Sequence, residues 1–286
     1  MIVNLFSTAN LSSGRSDALS RMITSVSATA RARPDIDLRL MILLQCCGEA
    51  PADLLSQEDA RFVTLLTTPG LVSLSAARNR LLDEGRRLGW MHGDEIVAFP
   101  DDDCWYPEGA LGYIHDAFAR QPDLDFWFCD YASAPVPVDG SIERDASVQD
   151  VLRRASSNTM VFRSPIVREI GGFDPELGVG ARLNGSEDTD YALRALALCR
   201  RTRFMPLPSI GHRDRNTAIR AKYYPSGLLV IARHAGRIPA LRSALLRKLA
   251  VGSALTARGE LKPGTFLAAM RDAMGEMRRT RQRSLR

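Results

Sequence analysis

The stretch Glu95-Ile-Val-Ala-Phe-Pro-Asp101-Asp102-Asp103-Cys-Trp-Tyr-Pro107 decides the fold. An unbroken apolar run, Ile96 to Phe99, is the pattern of a strand buried on both faces, as in a mostly parallel sheet. It runs directly into three carboxylates, and open sheets of that type bind ligands at the carboxyl ends of their strands. Three adjacent acids repel one another unless a cation sits among them or water solvates them all. Hard divalent ions such as Mg²⁺ take carboxylate oxygens together with phosphate oxygens, so a metal-bound diphosphate is one implied ligand. The alternative is a solvated turn in which Asp101 or Asp102 caps a helix beginning at Pro107.

Outward from this junction, strands are expected at Ile2 to Phe6, Leu38 to Gln45, Phe62 to Thr67, Asp125 to Asp130, Asn158 to Arg163 and Thr202 to Pro206. Helices are expected from Ser16 to Arg31, Pro51 to Asp59, Ser73 to Leu88, Pro107 to Arg120, and again from Glu187 to Cys199. Strands alternating with helices of this length specify an α/β fold. The Pro-, Asp- and Ser-rich stretch from Ala132 to Ala146 reads as a mobile loop or an extended hairpin. The first loop, Thr8-Ala-Asn-Leu-Ser-Ser-Gly14, matches neither G-x-G-x-x-G nor a P-loop, so any nucleotide phosphate must be held by other means.

No apolar run among the 286 residues approaches the roughly 18 of a membrane span, and the first residues lack a signal peptide's basic flank, so a cytoplasmic protein is expected. The five cysteines are scattered and odd in number, fitting neither a disulfide framework nor a zinc site. They read as reduced and mostly buried. The net charge of +5 conceals a division: from Arg213 onward there are 17 basic and 4 acidic residues, and before it 21 and 29. A basic tail on an acidic body suits anionic lipid, nucleic acid or the body itself. The tail lacks the interleaved aromatics of a nucleic-acid surface, which argues against that partner.

Of the acids near Gly185-Ser-Glu187-Asp188-Thr-Asp190, Asp190 is the one best suited to capping the helix that begins there. His92, His115 and His234 need no special role, whereas His212 follows Gly211 at a strand end.

Four stretches together resemble glycosyltransferase family 2, the nucleotide-sugar-dependent enzymes of the GT-A fold: Ser75-Ala-Ala-Arg78-Asn79, Phe99 to Pro107, Gly171-Gly-Phe-Asp-Pro-Glu-Leu-Gly178, and Gly185 to Asp190 with His212 downstream. The likeness covers roughly residues 1 to 215 and is greatest to bacterial members that build surface polysaccharide. It implies a GT-A catalytic domain over 1–215, with a nucleotide-sugar half to about 130 and an acceptor half after it, followed by a basic helical region over 216–286. It further implies that Asp103 and His212 hold Mn²⁺ or Mg²⁺, that Asp101 and Asp102 approach the donor's ribose, and that Arg78 donates to its phosphates. Asp188 would be the base of an inverting transfer and Glu187 an acceptor contact, an assignment that can be reversed.

The implied donor is a nucleotide-sugar, a UDP-sugar first, and the implied acceptor a glycan or lipid-linked glycan. Family members often carry an Asp after the second strand where this chain has Leu44-Gln45-Cys46-Cys47-Gly48, which leaves the nucleobase open. Pro239 to Leu255 mixes Arg and Lys with apolar residues. It is read either as an amphipathic helix lying on an anionic membrane at the inner face of the cell, or as an extension packed on the catalytic domain or a homodimer partner. Two other readings stay open: nucleotidyl transfer to a sugar phosphate, and a non-catalytic nucleotide-sugar-binding module.

Overall fold

A computed structural model describes residues 1–214 and 221–283, with the side chains of 281–283 left aside; the expected boundary near 215 falls outside these residues. Eight strands form one sheet: β1 (Val3–Asn10), β2 (Leu38–Gln45), β3 (Val63–Thr68), β4 (Ile96–Ala98), β5 (Leu124–Ala132), β6 (Arg144–Asp145), β7 (Val161–Arg163) and β8 (Arg201–Gly211). Their order is β3-β2-β1-β4-β7-β5-β8-β6. β1, β2, β3 and β4 pair in parallel, β7 runs antiparallel between β4 and β5, and β5 and β8 are parallel. Helices are α1 (Ser16–Ala32), α2 (Leu74–Arg87), α3 (Ala110–Arg120), α4 (Val148–Arg154), α5 (Ser164–Ile170), α6 (Glu187–Leu196), α7 (Tyr224–His234), α8 (Leu241–Ala257) and α9 (Pro263–Arg283). The expected α/β class and its mostly parallel sheet are what the chain forms.

Successive strand residues point to opposite faces, and both faces are covered. Leu40, Ile42, Leu44, Ile96 and Ala98 pack with Leu19, Met22 and Ile114 from α1 and α3. Met41, Leu43, Val97 and Phe99 pack with Leu81 and Leu82 of α2 and Tyr191 of α6. Hence the strands read as continuous apolar runs. Phe99 meets the rings of Phe6, Phe162, Phe173 and Tyr191, so the chain enters the acidic junction from a rigid aromatic cluster.

Several local expectations are corrected. Pro51 to Asp59 is not helical: Ser56 Oγ donates to Asp59 Oδ2 and accepts from its amide, and this local capping ends in a single tight turn at Asp59–Arg61. The third helix starts at Ala110, because Gly109 before it sits at φ 78°, so Asp101 and Asp102 cap nothing there. Ala132 to Ala146 is not a free hairpin. Its end, β6, pairs with β8, and buried Glu143 accepts hydrogen bonds from Trp127, Tyr113 and Arg203. The expected strand at Asn158 is confined to Val161–Arg163, and the helix expected to reach Cys199 ends at Leu196. Only Cys104 and Cys129 are buried; Cys46, Cys47 and Cys199 are partly exposed.

The strand expected to stop at Pro206 continues to Gly211. Register shifts at Cys129, Asp130 and Tyr131 let β8 pass Pro206 and Pro208 without losing β5. That continuation delivers His212 to the carboxyl end of the sheet.

The C-terminal helices are built into the body. Val230, Ile231, Leu241 and Ala244 belong to the core that holds Phe99. Tyr224, Leu228, Leu255 and Ala273 form a smaller core among α7, α8 and α9. Among the described residues no helix is long and apolar enough to cross a membrane.

Candidate active site

After β4 the chain turns at once, the Cys104 amide bonding the Asp101 carbonyl at 3.1 Å. Trp105 then exchanges both backbone hydrogen bonds with Gly211, at 2.9 Å each. This pairing fixes the acidic turn beside the end of β8. His212 Nε2 lies 3.0 Å from Asp103 Oδ1 and 3.6 Å from Asp101 Oδ2. Three such ligand atoms, one from each of Asp101, Asp103 and His212, all lie within 4.8 Å of one another.

His212 Nδ1 stands 2.8 Å from the Arg213 carbonyl oxygen, to which it can only donate. In the neutral ring, Nε2 therefore presents a lone pair to two carboxylates. Asp103 Oδ1 and His212 Nε2 are both buried, and neither has an aligned hydrogen-bond partner among the described residues. Electron-rich atoms packed face to face in this way fit a divalent cation bound by two carboxylate oxygens and an imidazole nitrogen. Burial alone would lower the His212 pKa, but the Asp103 and Asp101 carboxylates outweigh it and raise it above the ordinary value. Burial likewise resists ionisation of Asp103, but His212, Arg213 and Arg15 hold its carboxyl below its usual range.

Two arginines that sequence reading missed also face this cluster. Arg213 Nη1 is 2.7 Å from Asp103 Oδ2, and Arg15 Nη1 is 3.4 Å from the same oxygen and 3.5 Å from Asp102 Oδ1. Their positions were the available signal: Arg213 directly follows His212, and Arg15 lies in the loop after β1 at the same sheet end.

Asp102 turns towards Arg15 and is buried, and that burial pushes its carboxyl up to about 6 from 3.8. The native state thus keeps this proton to higher pH than the unfolded chain, so stability falls as pH rises from near 4 to near 6 and is level above. Asp102→Asn is expected to stabilise the metal-free protein by about 1–2 kcal/mol at neutral pH. The gain should vanish as pH falls well below 3.8, where both states are protonated. Denaturant titrations at the two pH values measure it.

Arg78 is tied to three side chains of the protein. It is buried on α2, and its fork donates to Asp101 Oδ1 at 2.9 Å, Ser157 Oγ at 2.7 Å and Glu187 Oε1 at 3.3 Å. The guanidinium thus ties Asp101 to Glu187. Two neighbouring residues of α2 bind the glycine-rich segment that precedes α6. Ser75 Oγ donates to the Leu177 carbonyl at 2.7 Å, while Asn79 both donates to Phe173 O at 2.9 Å and accepts from its amide at 2.7 Å. At Gly178, φ is +102° and a Cβ would come within 2.9 Å of Ser75 Oγ, so the segment closes there only with glycine.

Glu187 and Asp188 open α6. Glu187 is buried, and that burial, then the charge of Asp188, raises its pKa. Asp188 is half-buried, and its pKa is raised by burial as well. Its Oδ1 accepts from the Thr189 amide at 2.6 Å. Asp190, expected as a cap, lies a turn inside the helix; the cap position is Ser186, at φ 64°. Asp190 is instead buried and bonded to His234 Nε2 at 2.9 Å, Arg194 Nε at 2.9 Å and Arg233 Nη1 at 3.1 Å. Burial opposes ionisation, but these three cations and donors hold its carboxyl down to about 2. Arg233 also reaches Asp174 and Glu276, at 2.8 and 3.0 Å. His234 thus does have a role, joining α7 to α6.

Gln45 is satisfied internally, its Nε2 donating to Thr8 Oγ1 at 2.7 Å and its Oε1 accepting from the Val72 amide at 2.9 Å. At Gly211 a Cβ would lie 2.0 Å from the Trp105 ring, which is itself stacked 3.7 Å below the Arg21 guanidinium. Gly211→Ala is expected to cost about 1–3 kcal/mol by overpacking. A lowered denaturation midpoint, with Mn²⁺ binding weakened through displaced His212, is the result to look for.

No family model matches the sequence, and no curated protein matches it. Solved structures do share the fold. Residues 1–349 of TarS from S. aureus align at a TM-score of 0.67 and 12% identity, covering 97% of this chain and 81% of that one. The same TarS piece in complex with UDP-GlcNAc gives 0.58 and 10%, covering 99% and 91%. The mannosyltransferase PcManGT from Pyrobaculum calidifontis, in complex with GDP-Man and Mn²⁺, gives 0.56 and 16%, covering 98% and 82%. At these identities the likeness establishes the architecture, which is GT-A, as the motifs implied.

Proposed function

We propose that this chain is an inverting, metal-dependent glycosyltransferase of the family 2 type. It moves a sugar from a nucleotide-sugar donor to a hydroxyl of a glycan or lipid-linked glycan, on the cytoplasmic side, in surface-polysaccharide assembly. The observation that carries this reading is the convergence of Asp101, Asp103 and His212, two of whose facing atoms are buried and orphaned, joined through Arg78 to Glu187, the neighbour of Asp188. Mn²⁺ or Mg²⁺ held there by Asp103, His212 and Asp101 would supply positive charge against the diphosphate leaving group.

The chain's own residues account for the rest. Arg78, a buried cation, bridges half-buried Asp101 and buried Glu187 and fixes both side chains. Glu187, so engaged, is a poor base but is placed to accept a hydrogen bond from the acceptor sugar. Asp188 is the better base: one oxygen is pinned by its own helix's amide, and the residue is only half-buried. It takes the acceptor hydroxyl proton as that oxygen attacks the anomeric carbon opposite the departing nucleotide. Asp102, paired with Arg15, supports the turn and approaches the ribose side. The nucleotide-sugar half reaches to about residue 130, the acceptor half to about 215, and the basic helices follow.

Because both side-chain functions of Gln45 are occupied, the base is read by other groups, and a UDP-sugar is the first donor to test with a GDP-sugar beside it. A donor screen with Mn²⁺ or Mg²⁺, scoring nucleoside diphosphate release, tests the proposal. Metal-dependent release from one donor class is expected. Donor binding with no release from any donor in the presence of varied sugar acceptors would instead identify a binding module. Products formed from a sugar phosphate and a nucleoside triphosphate would identify nucleotidyl transfer.

A further inference from the structure

We infer that the outward faces of α8 and α9 form a docking surface for an anionic phospholipid bilayer. Five large apolar side chains stand exposed on these two helices: Leu246 and Val251 on α8, and Leu267, Met274 and Met277 on α9. Leu246 is 69% and Leu267 60% exposed, far beyond what packing on the body would leave. On α9, Leu267, Arg271, Met274 and Arg278 follow one another at spacings of three and four, a single outward stripe of alternating apolar and basic groups. On α8, exposed Arg242 and Arg247 flank Leu246.

The charges are one-sided. α8 contains no acid. Of the two acids of α9, Glu276 is turned inward to Arg233, and Asp272 lies 3.9 Å from the far more exposed Arg271, which leaves Arg278 and the arginines of α8 as the surplus charge. The turn between the helices carries Glu260 between Arg258 and Lys262. Between the helices and α7 lies a groove of about 520 Å³, with Ala232 and Ala235 in its floor, Leu246 and Met277 in its walls and Arg242 on its lining. An apolar groove flanked by arginines suits acyl chains beneath acidic headgroups. A second copy is the poorer occupant, since a two-fold contact through this face would bring Arg242, Arg271 and Arg278 against the same charges. The inference deepens the proposed reading, because a lipid-linked acceptor lies at such a surface. It stands or falls separately, being measured without donor or acceptor.

The experiment is co-sedimentation of the full chain with vesicles of phosphatidylcholine alone and of phosphatidylcholine with phosphatidylglycerol, at low and high salt. Binding to the anionic vesicles only, weakened by salt, is expected. Leu246→Asp with Met277→Asp, and separately Arg242→Glu with Arg271→Glu, should each weaken it roughly tenfold or more. All these side chains are exposed, so unchanged circular dichroism and unchanged nucleotide binding are expected to accompany the loss. No partition, equal partition into both vesicle types, or undiminished binding by both double variants would overturn the inference. So would a concentration-dependent dimer that Leu246→Asp abolishes, which would assign the face to a second copy.

Discussion

An Asp188→Asn protein is expected to bind metal and donor as the parent does, while its transfer rate falls about 10²–10⁴-fold, the usual contribution of a positioned base. Asparagine keeps the hydrogen bond from the Thr189 amide, so the start of α6 should be undisturbed. Only the proton acceptor is removed. A fall in kcat with an unchanged donor KM is the signature, because the missing interaction develops in the transition state. In the parent, the rate should also fall as pH drops, with a midpoint above the ordinary aspartate range, since burial raises the Asp188 pKa. That acid limb should be absent from the residual activity of the variant. Glu187→Gln provides the contrast: Arg78 would lose a buried ionic partner, so stability and acceptor affinity are expected to suffer along with rate.

Asp103→Ala is expected to act at the other end of the site. It removes the carboxylate nearest His212 Nε2 and leaves Arg213 and Arg15 without the oxygen they share. Mn²⁺ affinity should fall by one to two orders of magnitude, about 1.4–2.8 kcal/mol, and metal-dependent donor binding with it. Titration calorimetry with the metal alone and then with nucleoside diphosphate separates the two. Thermal stability of the metal-free protein should fall at neutral pH, since the carboxylate that His212, Arg213 and Arg15 hold below its usual range is gone. Unaltered metal and donor binding would remove Asp103 from the proposed role.

Much of this arrangement was legible in the chain because each motif lies where a strand or helix must end. The apolar run before Asp101 required a buried strand, and a buried strand's carboxyl end is where the sheet presents a site. The glycines at 171, 172 and 178 marked the segment that closes against Ser75 and Asn79. What could not be read was partner choice. The type and place of Arg78 imply a phosphate donor, but nothing in them foretells its bonds to Asp101 and Glu187. Those acids are separated from it by 23 and 109 positions, distances at which sequence patterns carry no contact information. Asp190 was misplaced for the same reason: a first-turn acid is ordinarily a cap, and only the return of α7 beneath α6 reveals its four-way burial with His234, Arg194 and Arg233. The extension of β8 past two prolines depended on irregular register in a neighbouring strand, which single-sequence periodicity cannot register.

That return of α7 has a practical bearing on how the protein can be cut. Arg233 alone ties α6, the Asp174 loop and α9 into one knot. A shortened chain ending at the edge of the motif-bearing stretch would leave buried Asp190 with Arg194 alone of its three partners, in the helix that carries the residues proposed to do the chemistry. Trimming for expression should therefore start from the far tip of α9 and proceed inward only as far as Glu276.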